Sequence, residues 1–221
     1  MVMNLERPSV VSQIREFIKG EILDQRLKPQ QRVTINQIAE MLKCSIVPVR
    51  EALSSLHAQG LVEFTPHRGY IVTPLLDQTA FKHLFETREV LELKAVELAV
   101  SKITEEYLKR LECILEEGEV SIPDEPIYTQ FRPFIDADEK FHSKIFDIAG
   151  NPFLTHSWKG LNIHLHHSRL YHPKGQVDIR EGTEEHQEII KSLRNKDLKQ
   201  SLHAMEQHLK GSFKRLSPMN L

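Results

Sequence analysis

The chain has 221 residues, 40% hydrophobic and 27% charged, with a formal net charge of −2; this balance excludes a largely disordered polymer and suits one large or two modest domains. Apolar stretches are broken by charge, as Lys94 and Glu97 break 91–100, so no membrane span fits. Two cysteines, Cys44 and Cys113, exclude a disulfide framework or zinc ribbon, and residues 1–8 lack the apolar core of a signal peptide, so a cytoplasmic protein is expected.

Val10, Val11, Ile14, Phe17, Ile18 and Ile22 recur at three-to-four spacing and predict an amphipathic helix over about 9–24. Thr34, with Gln37 three residues on, has the form of a capping box opening a short helix marked by Ile35, Ile38, Ala39 and Leu42. Lys43 and Cys44 form the turn, and Ser45 caps a third helix whose buried face is Val49, Ala52, Leu53 and Leu56; Gly60 stops it. Two alternating runs follow, 61–64 and 70–73, with Gly69 in the turn between them, the pattern of a hairpin. Three helices with a tight second turn and a two-stranded wing describe a winged helix-turn-helix. Residues 1–74 carry nine Lys+Arg against seven Asp+Glu, a weak electrostatic footprint for nucleic acid, which depends on clustered cations more than on totals.

Beyond Pro74 the pattern is helical throughout. Helices are expected over about 77–101, around 107–115, and over 128–149, 152–171, 183–195 and 197–215, with a loop at 118–126 rich in Gly, Pro and acids. The fold class is therefore mainly α: a winged helix-turn-helix in 1–74 and an all-α bundle of about six helices in 75–221.

The stretch Pro48-Val49-Arg50-Glu51-Ala52-Leu53, followed by Gly60-Leu61-Val62 and Arg68-Gly69, resembles the GntR family of bacterial transcription regulators. The second half is similar to the FadR-like branch and its FCD ligand domain, through Arg88 with Glu92, Asp138-Glu139-Lys140-Phe141-His142, Gly150-Asn151-Pro152, Glu185-His186 and Met205-Glu206-Gln207-His208. The short bundle is closest in form to the six-helix VanR-type group. The resemblance implies a DNA-binding regulator, a repressor in the first instance, acting on double-stranded operator DNA as a homodimer under the control of a small carboxylate effector.

In such a head the recognition helix leads into the major groove with its first turn, which makes Ser45, Ile46, Val47 and Arg50 the candidate DNA contacts. Arg50 can grip guanine O6/N7 or a phosphate in two-pronged fashion; the alternative is an ion pair with Glu51 or Glu40. His67 and Arg68, beside Gly69 at the wing tip, can reach the backbone or minor groove, or form a solvated turn. Where family members commonly carry an arginine and a threonine before the proline, this chain has Ile46 and Val47, so its operator is expected to differ from the family's usual one.

Asp138 and His142 lie four apart and share a helix face; an exposed ion pair is the plain alternative. Resemblance to metal-containing FCD domains implies that Asp138, His142, His186 and His208 ligate a divalent transition metal, zinc first, with nickel, manganese or iron(II) also compatible with three imidazoles and a carboxylate. His203 is an alternative to His208. Open metal positions would take water or the effector's carboxylate, and Arg88 would pair with that carboxylate or form a buried salt bridge with a neighbouring acid. His166 and His167 either line the effector pocket or are exposed, and Trp158 reads as packing. Two rivals remain: an Asp/His3 centre that activates water in a hydrolase or oxygenase, and a regulator whose metal is purely structural.

Overall fold

A computed structural model of the chain describes residues 9–118, 128–168 and 179–217. Contacts divide the chain into two compact units between Leu75 and Leu76.

The first unit runs α1 (Val10–Leu23), β1 (Arg32–Val33), α2 (Ile35–Met41), α3 (Ile46–Ala58), β2 (Val62–Thr65) and β3 (Gly69–Val72). The three-to-four apolar spacing of α1 and α3 buries Ile14, Ile18 and Ile22 against Val49, Ala52, Leu53 and Leu56. Ser9 caps α1, its hydroxyl accepting from the Ser12 N–H at 3.1 Å. The capping box expected at Thr34 does not form: Thr34 makes no side-chain cap bond, and only its carbonyl accepts, from Ile38. Its backbone leaves β1 extended at ψ 112°, and β1 is fixed in register with Val33 opposite Tyr70. Lys43 turns the chain between α2 and α3 in the left-handed region, at φ 51°.

The wing is a three-stranded antiparallel sheet in the order β1-β3-β2, rather than the expected two-stranded hairpin. Arg32–Val33 is too short to show alternation in the sequence; it becomes a strand because β3 offers it a free edge. At the tip the Arg68 N–H donates to the Thr65 carbonyl at 3.1 Å, and both His67 and Gly69 have positive φ, 68° and 77°. Glycine adopts that conformation without steric cost, whereas His67 does so under mild strain.

The second unit has six α-helices among its described residues: α4 (Gln78–Ala99), which ends in a 3-10 turn at Val100–Lys102, α5 (Glu105–Glu117), α6 (Tyr128–Ala149), α7 (Pro152–Ser168), α8 (Ile179–Arg194) and α9 (Leu198–Leu216). Asp77, Thr104 and Asp197 cap α4, α5 and α9 with their side chains. Asn151 caps α7, its side-chain oxygen accepting from Phe153 and Leu154 N–H at 3.1 and 3.2 Å. This gives Gly150-Asn151-Pro152 a local cause: a left-handed exit at φ 71°, a cap, and a proline where no N–H is needed. The main core joins Ala95, Leu111, Phe141, Phe146, Trp158, Ile189 and Met205. Among the described residues no helix is long and apolar enough to cross a membrane.

Candidate functional sites: a reading head and a buried histidine cluster

On the first unit, burial of Val49, Ala52, Leu53 and Leu56 turns the opposite face of α3 outward. Ser45, Ile46, Val47 and Arg50 are all exposed at its leading end, and His67 and Arg68 are exposed at the wing tip. Ser45 occupies the N-cap without using its hydroxyl for the cap. Arg50 has no ion-pair partner among the described residues; the alternative pairing with Glu51 or Glu40 is not made. Its guanidinium is therefore uncommitted within the head.

On the second unit, α6 supplies Asp138 and His142, α8 supplies His186 and α9 supplies His208. One ligand-type atom from each lies within 4.8 Å of every other, and all four residues are buried. The His142 Nε2 is 3.3 Å from that of His186 and 3.2 Å from that of His208; Asp138 Oδ1 is 3.6 Å from His186 Nε2 and 3.9 Å from His142 Nε2. Zinc bonds of about 2.0–2.1 Å in a tetrahedral shell place ligand atoms roughly 3.4 Å apart, so the spacing fits a single ion. His203 is exposed on the same helix and takes no part.

Two further carboxylates, carried by Glu92 and Glu185, hold these imidazoles from behind. Glu92 on α4 places Oε2 2.5 Å from His142 Nδ1, a short charge contact without hydrogen-bond alignment, and its Oε1 accepts from Arg88 Nε at 2.7 Å and from Trp158 Nε1 at 3.3 Å. Glu185 on α8 faces His208 Nδ1 at 2.9 Å and is clamped by both Arg215 Nη atoms at 2.7 Å. Burial works against the charge on Glu92, but Arg88 and His142 outweigh it and hold the carboxyl down at about 2. Glu185 is likewise lowered, burial again opposed by bonds to His208 and Arg215.

These carboxylates explain why the cluster suits a cation. Both carboxylates accept only, so Glu185 calls for a proton on the Nδ1 of His208, while Glu92 sets negative charge behind the Nδ1 of His142. The Nε2 atoms of the two rings lie 3.2 Å apart within the cluster, where a cation would draw on the lone pairs of both. Phe141 stacks on His186 at 4.2 Å between ring centroids and fixes the third ring.

The sequence assigns a site role to Arg88 but none toward the metal to Glu92 or Glu185. Both stand in the family motifs, Glu92 with Arg88 and Glu185 before His186, but the imidazoles they support lie far along the chain. Trp158 is buried packing, as expected, and also donates to Glu92. Arg88 forms the buried salt bridge, at 2% exposure against 1% for Glu92. Its Nη1, also buried, finds no hydrogen-bond partner among the described residues, so the pairing leaves one donor unused. The His166 and His167 side chains lie outside the described residues.

Residues 10–72 match the bacterial regulatory proteins of the gntR family, and residues 83–211 match the FCD domain. The chain belongs to the GntR family, in its FCD-bearing, FadR-like branch. A probable D-xylose utilization operon transcriptional repressor from Paenarthrobacter nicotinovorans is 32% identical over 93% of this chain and 88% of its own length. The regulator McbR of Escherichia coli strain K12 is 26% identical over 91% and 90%. The solved structure of E. coli McbR/YncC superposes with a TM-score of 0.75 at 23% identity, covering 96% of this chain and 99% of that one. This GntR-family chain is a DNA-binding transcriptional regulator. Its relatives are regulators and not enzymes, which sets aside the hydrolase or oxygenase reading of the Asp/His3 cluster.

Proposed function

We propose that this GntR-family protein is a cytoplasmic, homodimeric repressor whose operator affinity is set by a small carboxylate bound at a metal held by Asp138, His142, His186 and His208. The observation that supports it most is the convergence of three imidazole Nε2 atoms and Asp138 Oδ1 in the bundle interior. Zinc is the first choice, since tetrahedral N/O sets suit it; nickel, manganese and iron(II) are compatible with the same donors. When bound, the metal supplies Lewis-acid attraction for an effector oxygen. Glu92 and Glu185 keep the His142 and His208 rings oriented with Nε2 inward, and the unused Nη1 of Arg88 is the donor assigned to the effector's carboxylate.

On the DNA side, Ser45, Ile46, Val47 and Arg50 enter the major groove, while His67 and Arg68, on the turn closed by Gly69, reach the backbone or minor groove. A two-fold dimer sets two such heads on half-sites about one helical turn apart. The test is selection of random duplex DNA by the metal-replete protein, then titration of the enriched site with small carboxylic acids. An inverted repeat whose affinity shifts with an acid, and no longer shifts in His142→Ala, supports the reading; an acid response that survives His142→Ala overturns the metal's part in it. Arg50→Ala should lower affinity for the repeat about 5- to 150-fold per half-site, the equivalent of ~1–3 kcal/mol for each bidentate base contact. A uniform loss across all sequences, with a shallower salt dependence, would instead assign Arg50 to phosphate.

One observation favours a second reading. Four buried protein donors would fill a tetrahedral shell and leave no open position, the closed form of a structural site. If metal removal lowers the melting temperature while no acid alters DNA affinity, the metal is structural.

The support behind His208 gives a separate prediction. A Cβ on Gly211, one turn from the C-terminus of the ligand helix, would overlap Glu185 Oε1 and come within 2.7 Å of Arg215 Nη1. Gly211→Ala must therefore displace the carboxylate that orients His208. Metal affinity should fall about 10- to 100-fold in Gly211→Ala and in Glu185→Gln, read by competition with a chromophoric chelator. The helix itself should gain slightly from the alanine, so a metal-free melting temperature that is not lowered separates lost metal affinity from lost folding.

A further inference from the structure

The exposed face of the recognition helix carries an apolar patch that the head's own packing does not explain. Val47 is 59% exposed and Ile46 44%, side by side in the first turn of α3. Val49, Ala52, Leu53 and Leu56 define the buried side. At 100° per residue Val47 then points almost directly away from the core, with Ile46 on one flank. Arg50 follows at i+3 from Val47 and i+4 from Ile46, so the three side chains make one contiguous surface. An uncommitted guanidinium stands beside two branched aliphatic groups.

Within the major groove only one base presents an apolar group: thymine, through its C5 methyl. A branched aliphatic side chain cannot answer a hydrogen-bonding edge, and setting it against guanine O6 or cytosine N4 would leave polar atoms desolvated and unpaired. We propose that Ile46 and Val47 are specificity-determining residues that read thymine C5 methyls, immediately beside a guanine held by Arg50. The proposal rests on the assignment of α3 as the base-reading element. It deepens that reading by naming the chemistry read: each half-site carries a T-rich step next to a G·C pair, and recognition there is apolar.

The experiment compares the selected operator with copies in which single thymines are replaced by uracil, which removes the methyl and leaves pairing intact. The methyl under Val47 or Ile46 should contribute about fourfold in affinity, the equivalent of ~0.8 kcal/mol per buried methyl-sized group. Replacing the equivalent thymine in both half-sites should therefore cost roughly fifteenfold. Val47→Ala and Ile46→Ala, both at exposed positions, should bind the thymine and uracil forms of their contact site alike, while still discriminating at other positions. If the wild-type protein binds the two forms equally at every position, the thymine-methyl assignment is overturned while a specific operator stands. If selection enriches no sequence at all, the base-reading role of α3 fails, and the inference with it.

Discussion

Arg88→Met is expected to destabilise the bundle by about 3–5 kcal/mol, the range for removing one partner of a buried ion pair. The methionine replaces the aliphatic stem with little loss of volume, so the cost is electrostatic. It strands the Glu92 carboxylate, 1% exposed, with only His142 and the Trp158 N–H to answer it. The pH dependence should carry the same signature when measured on metal-free protein. Burial raises the Glu92 pKa while Arg88 and His142 lower it further, to about 2, from an ordinary 4.5. A depressed folded-state pKa contributes stability that is fully present above about 4.5 and lost as pH falls through about 2. Without Arg88 burial prevails and the folded pKa rises, so the gap between wild type and variant should narrow as the pH drops. Chemical denaturation at pH 7 and at pH 4 measures both points. The double variant Arg88→Met/Glu92→Leu should recover much of the loss, because apolar groups of similar size often replace a buried pair at little net cost. A single-variant loss below about 1 kcal/mol would mean that solvent reaches Glu92.

Metal loading is expected to produce the other large effect. A ligand bound by the folded state alone stabilises it by about 4 kcal/mol at a thousandfold excess over its dissociation constant. For a protein of this size that corresponds to a rise of roughly 8–16 °C in melting temperature. Scanning fluorimetry with a strong chelator, then with zinc, nickel or manganese restored, measures the shift. His142→Ala and His208→Ala should abolish it, since each removes a ligand and the partner of a supporting carboxylate. Asp138→Asn should weaken it while leaving the three imidazoles in place. Identical melting in chelator and in each added metal would show that the cluster binds none of them. The effect should also fade in mild acid, because imidazoles must be neutral to ligate.

Helices were the most legible part of the sequence. The expected 128–149 coincides with α6, and the expected 197–215 differs from α9 by one residue at each end. In both, apolar residues at three-to-four spacing mark a single buried face, a signal carried within one helix. Helix α8 starts at Ile179, four residues before the expected 183, because Gly182 and the charges around it hide the periodicity at its first turn. Strand β1 leaves no signal in the sequence, since two residues carry no period and their partners, Tyr70 and Ile71, lie far along the chain. The Asp138–His142 pair could be seen as four residues on one helix face, but proximity to His186 and His208 entered only through family resemblance. Nothing in the spacing marked Glu92 and Glu185 as supports for the rings. Glu92 stands 50 residues before His142, and Glu185 stands 23 before His208, so neither contact leaves a local pattern.

The sequence by itself determined the helices, the head and wing, the outward residues at the start of α3 and the identity of the ligand-type side chains, because each follows from local periodicity, a turn residue or a motif. The tertiary structure alone decided the distances at which those ligand atoms converge, with His208, favoured over His203 by its motif, in the cluster, and that Arg88 is bound to Glu92 with one donor left over. These outcomes depend on how α4, α6, α8 and α9 pack. Helix packing is set by the summed burial of whole faces, and only after it is fixed do single polar atoms find their partners across it.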